Sequence, residues 1–481
     1  MLVIASVMTS MVMIAIEATI VSTAMPQIVA QLGGLHIYSW IFSSFLLTQT
    51  AMTVVFGKLS DVYGRKPMML VGIAIFLLGS ILAGFAGSMM TMVVFRLIQG
   101  IGAGAMQPVA MTIVADLYPA RERGKIQGYL ASVWAISAVL GPIAGGFIVR
   151  DWSWPWIFWI NVPIGIAAAV GFSVFLHEDT KHERPSVDIA GAALFTVAVA
   201  SLLIALTEAG ISDHLPSLMA WCIFGVSLVL FVAQERRAAD PMISFALWSH
   251  RPIAAANSAG MLANMALMGL TTFLPMYVQG VLHRSPVVAG LALTTMLVGW
   301  PAGATLAARS FHRFGLRQIL VAGSLLLPIG TVALVLLTPE SSPITAGLGS
   351  LVMGFGMGLI SVSSLVLIQE LVDWPQRGSA TASNLFARNL GSTLGATALG
   401  AVFNYDLIRA NGAKSITSDQ LRQLLDAPAG TMTADTGIGL ALHQSINLTF
   451  WAMLAISLAV VLLALLVPPV EMRQAAEVRA E

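Results

Sequence analysis

An all-α polytopic membrane protein is the fold class this sequence predicts, and three observations predict it. Of 481 residues, 57% are hydrophobic and only 10% are charged, with a mean hydropathy of +0.85. That is too little charge to cover a soluble protein of this length. Apolar runs of about 20 residues, long enough to cross a bilayer, follow one another with short polar joins nearly from end to end. The basic residues collect in alternate joins, as they do in membrane proteins of fixed orientation.

The first run, 2–26, lacks basic residues at its start and ends at Pro26 without a small-residue cleavage site, so a retained span is expected rather than a signal peptide. Further helices are expected near 39–56, 68–87, 89–114, 126–149 and 156–176, which completes six. Two follow at 189–207 and 217–233, then six more near 253–278, 287–307, 319–337, 344–368, 381–403 and 444–467, giving fourteen. The expected domains are an N-terminal six-helix bundle at 1–176, a two-helix central insert with cytoplasmic linkers at 177–252, and a second six-helix bundle at 253–481. That last domain has a long outer loop at 404–443, with a short helix at Ser418 to Asp426, and a short cytoplasmic tail.

If Met1 is cytoplasmic, the inner joins and tail hold 17 of the 24 Lys and Arg and the outer joins hold five, with Arg96 and Arg388 left inside helices. That bias places both termini in the cytoplasm. The outer join 150–159, RDWSWPWIFW, brings four Trp to headgroup level, where anchoring is their expected role.

Several function classes are excluded. A formal net charge of +1 gives no nucleic-acid footprint, and the single Cys222 cannot form an intramolecular disulfide. There is no GxxxxGK[ST] loop for an ATP-driven pump, and no HExxH, CxxC or ligand-spaced His for a metal. No cofactor, metal site or catalytic residue is expected. An enzyme would show paired acids or a nucleophile with a base, and a sensor would show an appended soluble domain; neither appears.

The polar interval Gly57 to Pro67, GKLSDVYGRKP, separates two uncharged runs and forces an antiparallel turn. Gly303 to Arg317 echoes it, with Gly315 and Arg317 in the places of Gly64 and Lys66 and with His312 where Asp61 would stand. The echo suggests two halves built from a repeat.

Glu17 carries the strongest chemical signal, because IAIEATIVSTAMP holds no compensating charge. A charge at mid-helix costs about 2.5–3.5 kcal/mol on insertion scales, so such residues usually face a cavity and often relay protons; an interhelical polar clamp is the alternative. Arg96 is the second. With Gly100, Gly104 and Gln107 it forms one stripe of small and polar residues on the fourth helix. Glu17 and Arg96 lie at similar depths, within reach of a long Arg side chain; snorkelling to the interface is the alternative for Arg96. On the fifth helix Gly141, Pro142, Gly145 and Gly146 allow a kink and tight packing. Asp116 stands at the inner end of the fourth helix, placed to meet a basic loop residue. The 25 Met, with Gln107, Trp134, Asn257, Asn264, Asn384 and Arg388, are candidates to line a cavity.

Together these motifs resemble the major facilitator superfamily, and the fourteen helices resemble its drug:proton antiporter branch, with two extra central helices between two six-helix bundles. Gly57, Asp61, Gly64, Arg65 and Lys66 match the family's loop between helices two and three. Arg96 to Pro108 match the helix-four motif, and Gly141 to Gly146 the antiporter helix-five motif. IEATIVSTAMP is similar to the branch's first-helix motif, with Glu17 where Asp is usual; WIFWINVPIG and the run from Arg377 through Asn384 and Arg388 to Gly395 match further signatures.

The resemblance implies alternating access by rocking of two bundles. By analogy Asp61 would cap a helix of the opposite half, Arg65 would pair with Asp116 to latch an inner gate, and Glu17 with Arg96 would couple proton entry to export. The expected function is multidrug efflux: proton-driven antiport of lipophilic or cationic small molecules across the cell membrane, with antibiotic resistance as a consequence. A dedicated metabolite or lipid exporter of the same fold is the alternative. Expected partners are protons, a small-molecule substrate and the bilayer, with no nucleic acid. A monomer is expected, and in a double-membrane organism a periplasmic adaptor would be a further partner.

Overall fold

The computed structural model describes residues 2–117, 120–177, 188–208, 215–238, 245–372, 377–410 and 437–468. Every regular element among them is helical. The first region holds α1 (Leu2–Leu32), α2 (Trp40–Tyr63), α3 (Arg65–Gly84), α4 (Met89–Leu117), α5 (Ala120–Asp151), the single turn α6 (Trp156–Trp159) and α7 (Asn161–Phe175). Next come α8 (Ile189–Glu208) and α9 (Leu215–Arg237), then the short α10 (Phe245–Ser249). The last six are α11 (Arg251–Gly280), α12 (Pro286–Phe314), α13 (Leu316–Val335), α14 (Pro343–Glu370), α15 (Arg377–Ala410) and α16 (Gly437–Leu466). Leaving aside the two short helices, these are the fourteen expected rods, and eleven of the helices are long and apolar enough to cross a membrane by length and composition. The protein is an all-α polytopic membrane protein.

Two boundaries differ from expectation. Pro26 does not end α1, which runs on to Leu32 and stops where Gly33 takes φ +74 and bonds its amide to the Val29 carbonyl at 2.8 Å. Membrane helices tolerate an internal Pro because the freed backbone groups are satisfied by neighbours, and α4, α5, α11, α12 and α13 each contain one as well. The second difference is the loop expected at 404–443. Its first and last parts are helical, since α15 continues to Ala410 and α16 starts at Gly437; Leu407 and Leu442 are buried and hold these turns in place. The helix expected at 418–426, the tail beyond 468 and the linkers at 178–187 and 239–244 lie outside the described residues.

The polar interval at 57–67 and its echo at 303–317 turn on equivalent glycines. Gly64 (φ 95°, ψ 153°) joins α2 to α3, and Gly315 (φ 79°, ψ 156°) joins α12 to α13 in the same conformation. Positive φ is costly for residues with a Cβ, so the two positions share one requirement. On α4, a methyl group at Gly102 would collide with the Phe76 backbone, and one at Gly104 would lie 2.6 Å from the Gln49 carbonyl oxygen, so α4 packs tightly on α3 and on α2. On α14, a methyl at Gly356 would sit 2.7 Å from the Gly323 carbonyl oxygen, and one at Gly358 would collide with the Trp300 carbonyl, which presses α14 in the same way on α13 and α12. In a bilayer, where apolar side chains gain nothing by leaving lipid, such backbone contact is a main source of helix association.

By compactness the chain divides into unit 1 (Met1–Met242, Thr271–Leu291, Ala396–Leu448) and unit 2 (Ile243–Leu270, Ala292–Gly395, Thr449–Glu481). Within unit 1 the segments 271–291 and 396–410 are tied to the first two helices and the join between them by polar side chains. Tyr38 donates to the Thr272 carbonyl at 2.7 Å, Gln279 Nε2 to the Thr23 carbonyl at 3.0 Å, Thr397 Oγ1 to Ser43 Oγ at 2.7 Å, and Asn404 Nδ2 to the His36 carbonyl. Gly290 lies close enough to Pro142 that a methyl would sit 2.5 Å from its carbonyl oxygen.

Candidate functional site

The site is built inside unit 1, where α1, α2, α3, α4 and α7 converge. Glu17 sits at the middle of α1, and Arg96 lies seven residues into α4, about 10 Å from its start. Both are buried, with side chains 0% and 3% exposed, and they form an ion pair through Glu17 Oε1 and an Arg96 terminal nitrogen. Asn161, the first residue of α7, donates to Glu17 Oε2 at 2.7 Å. The same Arg96 nitrogen donates to Gln99 Oε1 at 2.6 Å, and Gln99 Nε2 donates to Ser80 Oγ on α3 at 2.7 Å. Arg96 Nε donates to the Ile41 carbonyl of α2 at 3.2 Å, and the guanidinium lies 4.2 Å from the centre of the Phe45 ring.

Local sequence explains why these groups meet. A methyl at Gly79 would lie 2.5 Å from the Gln99 amide nitrogen, so α3 passes close enough to α4 for Ser80 to reach Gln99. Gly100 faces the Phe45 carbonyl and Thr48, and Thr48 Oγ1 donates to the Leu97 carbonyl at 2.8 Å, which fixes α2 beside Arg96. A methyl at Gly165 would lie 2.9 Å from Met13 Sδ, which lets α7 approach α1. Both Glu17 oxygens are therefore occupied, one by a cation and one by an amide, and the charge is held by partners on separate helices.

The helix-five motif packs around this centre. Gly141 opposes Thr19 Oγ1, two residues beyond Glu17, and a methyl at Gly145 would sit 2.9 Å from the Ile20 carbonyl oxygen, so α5 lies directly on α1. Gly146 and Pro142 meet Val287 and Gly290 at the start of α12. The motif thus contacts two helices at once.

Of the loop motif, Gly57 faces Pro108 of α4 and Gly64 makes the positive-φ turn. Arg65 donates to the Ser60 carbonyl at 3.0 Å, which closes the C-terminal end of α2, and Lys66 donates to the Ser173 carbonyl of α7 at 2.8 Å. The side chains of Asp61 and Asp116 lie outside the described residues.

The candidate cavity residues fall into both units. In unit 1, Gln107 is half-buried and Trp134 is 36% exposed. In unit 2, Asn257 and Asn384 are fully buried and bonded to each other, Asn384 Nδ2 to Asn257 Oδ1 at 3.1 Å; Asn257 also donates to Ser383 Oγ at 3.2 Å. Asn264 is spent on its own helix, donating to the Gly260 carbonyl at 2.8 Å. Arg388 lies over the Trp300 ring, 5.6 Å from its centre.

Sequence reasoning missed Asn161, Gln99 and Ser80. Asn161 stands inside the quoted signature WIFWINVPIG as its one amide, and a lone amide in an apolar signature was the available signal. Gln99 lies three residues beyond Arg96, on the same helical face. Among the described residues no group of three or more His, Cys, Asp or Glu could hold a metal ion.

A sequence model described as the Major Facilitator Superfamily matches residues 7–396. The multidrug transporter protein MdtP of Bacillus subtilis (strain 168) is 33% identical over 396 residues, spanning 81% of this chain and 73% of that protein. Multidrug resistance protein 3 of the same organism is 34% identical over 397 residues, spanning 81% and 77%. Among solved structures, a bacterial homologue of the human lysosomal transporter Spinster, in an inward-facing and unoccupied conformation, has a TM-score of 0.69 at 16% identity over 96% of each chain. That likeness shows a shared fold. With its helical membrane architecture and transporter relatives, the chain is a transport protein and not an enzyme, and it belongs to the Major Facilitator Superfamily.

Proposed function

We propose that the protein is a proton-coupled antiporter that exports lipophilic or cationic small molecules by alternating access, with Glu17 as the proton carrier and Arg96 as its counter-charge. One observation carries this: the ion pair of Glu17 and Arg96 is fully enclosed between membrane helices and held by Asn161. Buried pairs of this kind contribute little net stability, which makes a functional reason for keeping one more persuasive. The relatives named as multidrug transporters support efflux as the direction.

The energies match one proton per cycle. Breaking a buried pair by neutralising one partner costs about 3–5 kcal/mol. A proton falling through about 150–200 mV releases about 3.5–4.6 kcal/mol. Protonated Glu17 loses its attraction to Arg96, while Arg96 keeps Gln99, the Ile41 carbonyl and Phe45. The five helices that meet at the pair are then free to shift, and return of the proton to the other side restores the pair. In this reading the polar ties of 271–291 and 396–410 to α1, α2 and the join between them close the outer side. The Gly57–Lys66 loop with Arg65 and Asp116 latches the inner side, the termini are cytoplasmic, and the driving force is the proton gradient of the plasma membrane with no cofactor.

The test is transport in proteoliposomes driven by an imposed pH gradient, with a panel of lipophilic and cationic dyes, comparing wild type with Glu17→Gln and Glu17→Asp. Gradient-driven accumulation is expected to fall more than about tenfold in Glu17→Gln and to survive in part in Glu17→Asp. Cargo exchange without a gradient should persist in both and shows that they fold. Full gradient-driven accumulation by Glu17→Gln would remove Glu17 from the coupling.

A further inference from the structure

Unit 2 contains a second intramembrane arginine, and its surroundings differ from those of Arg96 in kind. Arg388 lies eleven residues into α15, about 16 Å from the start of that helix and within the run 381–403 expected to cross the membrane. Among the described residues its guanidinium forms no hydrogen bond or ion pair; its Nε is buried without a partner, and its contact is the face of Trp300 on α12. Acids are sparse on the helices of this unit that pack around it; α14, which meets α12 at Trp300, carries Glu370 at its far end, twelve residues beyond Gly358. Helices α11, α12 and α15 hold a single carboxylate between them, Asp406, which lies 18 residues (406 minus 388) beyond Arg388, about 27 Å along the axis. One turn before Arg388, on the same face of α15, Asn384 Oδ1 is a buried acceptor without a donor.

Gly391 and Gly395 let α15 press against the Met261 and Met265 carbonyls of α11, and Gly260 of α11 sits opposite Arg388 and Asn384, where a methyl group would come 3.7 Å from Arg388 Cγ. Asn257, Ser383 and Trp248 then fix Asn384: Trp248 Nε1 and Asn257 Nδ2 both donate to Ser383 Oγ, and Asn384 Nδ2 donates to Asn257 Oδ1. A cation kept at membrane depth without a counter-charge, on a rigid amide platform and over an indole, is costly to retain unless something charged visits it.

We propose that Arg388, with Trp300 and Asn384, forms a receiving site for an amphipathic organic oxyanion. The carboxylate, sulfonate or phosphate head accepts from the guanidinium fork, a nearby N–H or O–H of the ligand donates to Asn384 Oδ1, and the apolar body lies along Trp300. Calling that ligand cargo rests on the export function proposed above, and the site narrows it to the lipophilic class bearing an acidic head. A free organic anion and an anionic lipid headgroup share this chemistry.

The experiment is calorimetric titration of the full chain in phosphatidylcholine nanodiscs with dansylglycine, which carries a carboxylate beside an N–H donor, and with its neutral methyl ester. Wild type is expected to bind the carboxylate about tenfold or more tightly than the ester, the gain of one charge-assisted pair. Arg388→Gln should bring the two affinities together by weakening the carboxylate alone, and Arg388→Lys should keep part of the preference. Asn384→Asp, which supplies an internal carboxylate at the neighbouring turn, should abolish the preference by occupying the guanidinium, and it does so without removing the arginine. Repeating the titration with phosphatidylglycerol present separates the sources. Competition that disappears in Arg388→Gln identifies a headgroup as occupant, and no competition identifies a free anion. Equal affinity of wild type for acid and ester, or a preference that survives Arg388→Gln, overturns the proposal. The export reading fails separately, if wild type shows the preference but drives no transport under a gradient.

Discussion

Arg96 and Arg388 are the two arginines that lie inside membrane helices away from the joins, and the protein treats them in opposite ways. Around Arg96 every charge is answered: Glu17 balances it, and Gln99, Ile41 and Phe45 complete its shell. Around Arg388 the described residues offer an aromatic face and no acid. A compensated cation is a structural and switching element whose partner must be neutralised before it moves. An uncompensated one is an unmet demand, and demand of that kind is how a site selects a ligand.

The contrast breaks most visibly at Arg96. Arg96→Met leaves Glu17 buried with only Asn161, and a loss of about 3–5 kcal/mol is expected, read as a large fall in the thermal midpoint in detergent. Adding Glu17→Gln to it should recover most of that loss, because the uncompensated charge is gone; a double substitution as unstable as the single would show that the pair is not coupled. Next in size is Asn161→Ala, which strips the second oxygen of Glu17 of its donor and should cost about 1.5–3 kcal/mol by the same melting measurement. Arg388→Gln should go the other way, leaving stability unchanged or raising it by about 1 kcal/mol while the preference for anions is lost. A destabilisation as large as that of Arg96→Met would make the two arginines alike and sink the comparison. The smallest effect is expected at Arg150. Its bond with Asp151 is direct at 2.8 Å, and it holds the Asp151 carboxyl below the ordinary aspartate range, yet both side chains are half exposed, at 52% and 50%. Arg150→Gln should leave the melting profile where it was, since water and salt screen such a pair.

Much of the fold is legible in the sequence, because hydropathy is a local property and a bilayer imposes one length on every crossing. The likeness of the two glycine turns is legible too, in Gly64 and Gly315, since positive φ admits few residues besides Gly. Glu17 and Arg96 stand out for the same reason that makes them expensive: each is a lone charge in an apolar run. Their shell does not stand out. Ser80, Gln99 and Asn161 are neutral groups of a kind scattered through all the helices, and only the packing of α1, α3, α4 and α7 distinguishes these three from the rest. The overrun of α1 past Pro26 was hidden because the rule that Pro stops a helix belongs to water, where a freed carbonyl has other partners.

The central claim, that Glu17 trades a proton against cargo, is tested most directly by watching protons. Purified protein in weakly buffered detergent solution with a pH indicator is mixed with a transported dye, and the protons released per dye bound are counted. Wild type should release about one proton per dye over the pH range in which it transports, and Glu17→Gln should bind dye and release none. Proton release of equal size from Glu17→Gln, or dye binding by wild type with no release at any pH where transport occurs, would contradict the account.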